Sequence, residues 1–139
     1  MKYYAVIDTN VIVSAVLKQD SVPGKVVRMA LEGSIVPILN DVIENEYREV
    51  LSRPKFHLSQ SIIEDIIFAF RDKGLYVEAG SFEIELPDPK DRVFYEVVME
   101  KRKSEETWID TGNIRHFPVE PFIVTPREML GVVLNDGDA

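Results

Sequence analysis

The feature that most constrains this chain is an alternation. Five short, β-favouring runs, at residues 3–7, 35–39, 75–77, 107–111 and 122–124, are separated by stretches with helical periodicity. Parallel strands need a crossover between them, and a helix is the usual one. The pattern therefore predicts an α/β fold, a three-layer α/β/α domain with a central, mainly parallel sheet. The first run, Tyr3-Tyr4-Ala5-Val6-Ile7, is apolar throughout, as a strand covered on both faces must be. It stops at Asp8-Thr9-Asn10. Ligands of open α/β sheets bind beyond the carboxyl ends of the strands, where the strand order reverses, so Asp8 stands where a site would form.

Punctuating residues set the expected limits of the helices. Asn10 is a candidate N-cap for a helix over 11–17, and 23–32 reads as a second helix closed by Gly33. Asn40 or Asp41 can cap a helix to about residue 51, which Pro54 stops. Ser61 and Glu64 have capping-box spacing for a helix to about residue 71, ended by Gly74. Residues 80–89 form a connection, Asp88-Pro89 starts a helix to about residue 101, and Thr125-Pro126 caps a last one to about residue 134. One domain over 1–134 with a frayed tail at 135–139 is the expected organisation.

The formal net charge of −8 argues against holding nucleic acid by a general positive field, because phosphate contacts need Lys and Arg to displace counterions. A nuclease remains compatible with it. Acids gathered at one site repel phosphate unless divalent cations neutralise them, so an acidic nuclease should depend on metal. Local cations could guide a strand: Arg48, Arg53, Lys55 and His57 form one set, Lys101 to Lys103 a second, Arg115 and His116 a third. Taken alone, each set is better explained as solvated surface charge. With no cysteine, disulfides, zinc thiolates and cysteine nucleophiles are excluded, and any metal must sit on oxygen or histidine. No apolar run is long enough to cross a bilayer and the start MKYYAVID has no signal-peptide pattern, so a cytoplasmic location is the default expectation.

Three carboxylates draw notice. At about 100° per residue, Glu46 projects between Val42, Ile43 and Val50, inside an apolar arc that also holds Tyr47 and Leu51, while Glu44 and Glu49 fall at its edges and read as surface acids. A glutamate facing the protein needs a partner, either a distant Arg or Lys or a bound cation. Asp91 shares a helix face with Phe94, Tyr95 and Val98. Asp88 and Asp91 could also serve only to cap their helix and favour its dipole, and Asp8 could be a turn or capping aspartate. If the three acids converge, hard oxygen ligands select Mg²⁺ or Mn²⁺.

In order and spacing, four segments resemble the PIN domain, in particular the PIN-like toxins of bacterial and archaeal toxin-antitoxin pairs. They are Val6-Ile7-Asp8-Thr9-Asn10-Val11; Glu46-Tyr47-Arg48-Glu49-Val50-Leu51 with Arg53-Pro54-Lys55-Phe56; Asp88-Pro89-Lys90-Asp91; and Thr111-Gly112-Asn113-Ile114-Arg115-His116-Phe117-Pro118. The resemblance covers nearly the whole chain. It implies a Mg²⁺- or Mn²⁺-dependent endoribonuclease whose catalytic and metal-binding acids are Asp8, Glu46 and Asp91. Thr9, Asn10, Asp88, Thr111, Asn113, Arg48 and Arg115 would support the site or contact RNA. Many members carry a fourth acid where this chain has Asn113, which keeps a hydrogen-bond acceptor but removes a charge and so predicts a weaker second metal site. Asp110 departs from the usual apolar residue of that strand, as an edge-facing polar residue or a local ligand.

On this resemblance Asp8 and Asp91, with Glu46 directly or through water, hold the cation, Thr9 and Asn10 orient Asp8, and Arg48, Arg115 or His116 hold the RNA backbone. His116 is either a general acid or simply part of the turn at Phe117-Pro118. A small antitoxin protein and a homodimer are implied partners, with the faces at 26–31 and 62–70 available as an interface or as core. Two rival functions fit less of the pattern: a PIN-fold module that binds RNA or protein without efficient catalysis, favoured by Asn113, and an aspartyl-phosphate or receiver domain, which lacks a second acid beside Asp8 and a lysine motif.

Overall fold

A computed structural model describes residues 2–81 and 83–137. Its five strands are β1 (Tyr3–Ile7), β2 (Ile35–Leu39), β3 (Leu75–Tyr76), β4 (Thr107–Asp110) and β5 (Ile123–Val124). All pair in parallel, in the order β3-β2-β1-β4-β5. The crossovers are helical: α1 (Thr9–Leu17), α2 (Val22–Glu32), α3 (Asp41–Leu51), α4 (Gln60–Lys73), α5 (Arg92–Arg102) and α6 (Pro126–Gly137). α2 packs on β2, with α6 beside it on β4 and β5, whereas α5 lies across β1, β2 and β4 with α3 alongside. Helices thus cover both faces of the sheet, giving the three-layer α/β/α architecture.

The chain moves outward from β1 in one direction to β2 and β3 and in the other to β4 and β5, so the reversal of strand order falls at β1. Ala5, Val6 and Ile7 are wholly enclosed there, and so are Ile35, Ile38 and Ile109 on the neighbouring strands. Asp8 leaves β1 at that reversal point, the position at which such sheets bind ligands.

Several helix starts differ from the sequence expectation. α1 begins at Thr9 with Asp8 in the N-cap position, and Asp8 makes no capping hydrogen bond. Asn10 is therefore not the cap: its Oδ1 accepts from the Gly112 amide across 102 residues of sequence. α4 is capped by Ser59, whose hydroxyl accepts from the Ile62 amide, not by Ser61. The Asp88-Pro89 segment forms a 3₁₀ turn over Pro89–Asp91 before α5 starts at Arg92. α6 opens with a reciprocal capping box, Thr125 and Glu128 each accepting from the other's amide, and runs to Gly137. Of the expected tail, residues 138–139 lie outside the described residues.

The inward arc of α3 is rotated from the expected one. Ile43, Glu44, Tyr47 and Leu51 are buried, Val42 is 59 % exposed, and Glu46 is only half-buried. Glu44 is thus no surface acid. It lies one turn before Tyr47 on the buried face, and it is tolerated because Arg71 of α4 and Arg48 converge on its Oε1. Placing the face from α3's own apolar residues overlooked the cation that α4 supplies.

Candidate active site

A cleft of about 440 Å³ opens at the carboxyl end of β1. It is lined by carboxylates from three places in the chain: Asp8 after β1, Glu46 and the exposed Glu49 of α3, and Asp88 and Asp91 around the turn before α5. Asn10, Asn113 and His116 contribute polar groups, Arg53 and Lys90 positive charge, and Val13, Val50 and Phe56 apolar surface.

Asp8 is the most firmly held. Thr111, leaving β4 beside it, donates its hydroxyl to Asp8 Oδ2 at 2.7 Å, and Asn10 Nδ2 lies 3.4 Å from the same oxygen. The Thr111 hydroxyl in turn accepts from the Asn113 amide. Beneath this, the buried Tyr47 hydroxyl donates to the Ile7 carbonyl, tying α3 to the last residue of β1. Tyr47→Phe is expected to lower stability by about 1–2 kcal/mol, the usual effect of orphaning one buried hydrogen-bond partner. Urea unfolding would measure it, and an unchanged midpoint would show that the carbonyl finds another donor.

Three of these carboxylates, Asp8, Glu46 and Asp91, resist ionisation. Burial pushes Asp8 up to about 6; the Thr111 hydrogen bond opposes this, and the Asp91 charge adds to it. Asp91 is raised by burial and then by Asp88, with His116 acting the other way. Glu46 is raised by burial and by the charges of Asp8 and Asp88, against the Thr9 hydroxyl that donates to its Oε2 and the Lys90 charge. Carboxylates that raise one another form an electrostatic trap for a cation, which relieves their desolvation and repulsion together.

Capping explains Asp88, whose Oδ1 accepts from the Lys90 amide. It does not explain Asp91, which is buried, makes no capping bond, and places its Oδ2 at 3.3 Å from His116 Nδ1. His116 therefore belongs to the cleft and not only to the turn before Phe117.

Two expected basic residues are elsewhere. Arg48 is bound to Glu64, Glu44 and Asn45 on the α3–α4 side, and exposed Arg115 does not line the cleft. Arg53 and Lys90 take their place; both stand in segments legible from sequence, but nothing there separated them from ordinary surface cations. Asp110 is neither edge-facing nor in the cleft. It is fully buried, neither carboxyl oxygen finds a partner among the described residues, and burial followed by the Asp8 charge pushes it up to about 8.

The carboxylates suit a hard divalent cation: several anionic oxygens at a water-accessible cleft. Among the described residues no three acids or histidines close into a ready-made metal cage. One or two direct carboxylates, with water and phosphate oxygens completing the shell, is the arrangement Mg²⁺ commonly takes at phosphate-handling sites. Among the described residues no helix is long and apolar enough to cross a membrane.

No curated protein matches the chain significantly. A family model described as PIN domain matches residues 4–115, which include every acid of the cleft.

Proposed function

The chain belongs to the PIN domain family, and from that premise we propose that it is a Mg²⁺- or Mn²⁺-dependent endoribonuclease, the toxin of a toxin-antitoxin pair. Domains of this family are generally nucleases. The observation that carries the proposal is the convergence of Asp8, Glu46, Asp88 and Asp91 on one cleft at the strand-order reversal. A divalent cation, when bound, would supply positive charge against the phosphate and lower the pKa of a water so that it can lose a proton to solvent and attack. Asp8 and Asp91 would hold the cation, with Glu46 beside them. Thr111 and Asn10 fix the direction of Asp8, and Thr9 that of Glu46. His116, on Asp91, would hand a proton to the departing oxygen. Arg53 and Lys90 bear on the RNA backbone as the cations at the cleft.

Stripping the protein with chelator and restoring Mg²⁺ or Mn²⁺, with single-stranded RNA and DNA of one sequence as substrates, tests this reading. Cleavage of the RNA that needs the metal supports it; metal-dependent cleavage of the DNA alone moves the activity to another substrate. Asn113 favours a second reading, a module that binds RNA or protein without efficient cleavage, because it withholds the fourth charge. RNA binding with no cleavage under either ion would establish that one. A small antitoxin laid across the acidic cleft and a homodimer complete the proposal.

Metal binding should be pH-dependent. Asp8 must be ionised to hold a cation, and its carboxyl is raised to about 6. Mn²⁺ affinity should therefore weaken by roughly tenfold per pH unit as pH falls below about 6, and level off above it. Calorimetric titrations at pH 5 and pH 7.5 would check this, and equal affinities would remove Asp8 from the ligand set.

A further inference from the structure

Phe56 is an aromatic ring that, among the described residues, does not pack on the core. It is half-buried, on the short 3₁₀ turn Pro54–Phe56 between exposed neighbours. Yet among the described residues it is absent from the partly buried apolar side chains that pack on the core, a set that includes the nearby Leu58. Its ring lines the carboxylate cleft, together with Val13 and Val50. The turn ends at His57, a non-glycine residue in the left-handed region (φ 53°), so the backbone that presents the ring departs from relaxed geometry.

Positive charge adjoins the ring. Lys55 Nζ lies over it, 5.2 Å from its centroid and outside the cleft lining, on a flexible side chain that a stacked base can displace. Arg53 lines the same cleft as the ring, exposed and with no ion pair among the described residues. In a chain of net charge −8, such a local run is informative. Cations that follow a backbone, interleaved with an aromatic face that takes a base, are the physical pattern of single-strand binding. A base paired in a duplex is stacked on its neighbours and cannot reach a ring in a cleft of about 440 Å³.

We propose that Phe56 is a stacking platform for one unpaired base of the RNA, next to the phosphate at the carboxylates, with Arg53 and Lys55 on the flanking backbone. The identity of the ligand rests on the nuclease reading above; the role of the ring rests on the turn and the cleft.

The test uses the full chain carrying Asp8→Asn, so that RNA is held but not cut, and fluorescence anisotropy with a labelled single-stranded RNA. Copies in which one abasic position is moved along the strand locate the stacked base. Phe56→Leu, which keeps apolar bulk without a ring, should weaken binding roughly 5- to 100-fold. One abasic position should weaken the Phe56-containing protein by a similar factor and leave Phe56→Leu unchanged, and Phe56→Trp should restore affinity. Because leucine preserves the apolar contacts, a melting curve like the parent's shows that the loss is not misfolding. Equal binding by Phe56→Leu, an abasic effect that persists in it at every position, or no binding of any single strand would each overturn the proposal. Metal-dependent cleavage by the unsubstituted protein is scored separately. Cleavage without the Phe56 signature leaves the nuclease reading standing and removes the platform, whereas the signature without cleavage does the reverse.

Discussion

Asp8→Asn is expected to abolish metal-dependent cleavage and, at the same time, to raise the melting temperature. Asparagine keeps the shape of the side chain and an oxygen for the Thr111 hydroxyl, so the surrounding geometry survives. What it removes is a charge that is buried and repelled by Asp91. A carboxyl raised from 3.8 to about 6 carries an ionisation penalty of roughly 2–3 kcal/mol at neutral pH, which asparagine escapes in part. Cleavage should fall on the order of 10³-fold or more, the scale of losing a group that organises charge at the reacting phosphate. Activity and thermal unfolding on one preparation at pH 7.5 decide it. Retained cleavage would dismiss Asp8 as a ligand, and a lower melting temperature would mean that the charge is already compensated. Asp72→Asn, on an exposed acid of α4, is a suitable control; Glu44 is not, because it is buried against Arg71.

The second large effect lies on β4. Asp110→Val should stabilise the protein by about 1–3 kcal/mol, because a buried carboxyl with no partner on either oxygen among the described residues is replaced by an apolar, β-favouring side chain. For a chain of this length that corresponds to several degrees of melting temperature. The pH dependence has a definite sign. Asp110 is raised to about 8 in the folded protein, above its unfolded value, so between about pH 4 and pH 8 the folded state binds more protons than the unfolded state. Stability therefore falls as pH rises through that window, and both Asp110→Val and Asp110→Asn should flatten the slope. Melting temperatures at pH 5 and pH 8 measure it. A slope identical to the parent's would assign the titration to Asp8 and Asp91, which are raised in the same direction.

The fold was open to reading because its determinants are local. Strand runs such as Tyr3–Ile7 and stops such as Pro54 and Gly74 act within a few residues, and the parallel sheet follows from their alternation. The site was readable where an acid adjoins such a stop, as at Asp8, and from the resemblance at Glu46 and Asp91. What escaped depends on contacts between distant segments. The burial of Glu44 is decided by Arg71, 27 residues on, and the withdrawal of Arg48 from the cleft by Glu64. The choice of Asn10 as a cap failed because Gly112 claims its side chain from the far end of the chain. Helical periodicity carries no information about such partners. For the same reason it rotated the inward arc of α3 and made Glu46 look more enclosed than it is.

The central place of β1 also bears on the order of events during synthesis. β1 is made first, but its partner β4 and the Thr111 hydroxyl that steadies Asp8 arrive 103 residues later. Pairing over that separation is slow and cannot start until the downstream segment has left the ribosome. A nascent chain that ends before β4 can pair β1 with β2, yet it has no Thr111 beside Asp8 and no His116 on Asp91. The carboxylates come into register only once β4 and the turn carrying His116 have been made, so translation products that stop before them carry the acids without an assembled cleft.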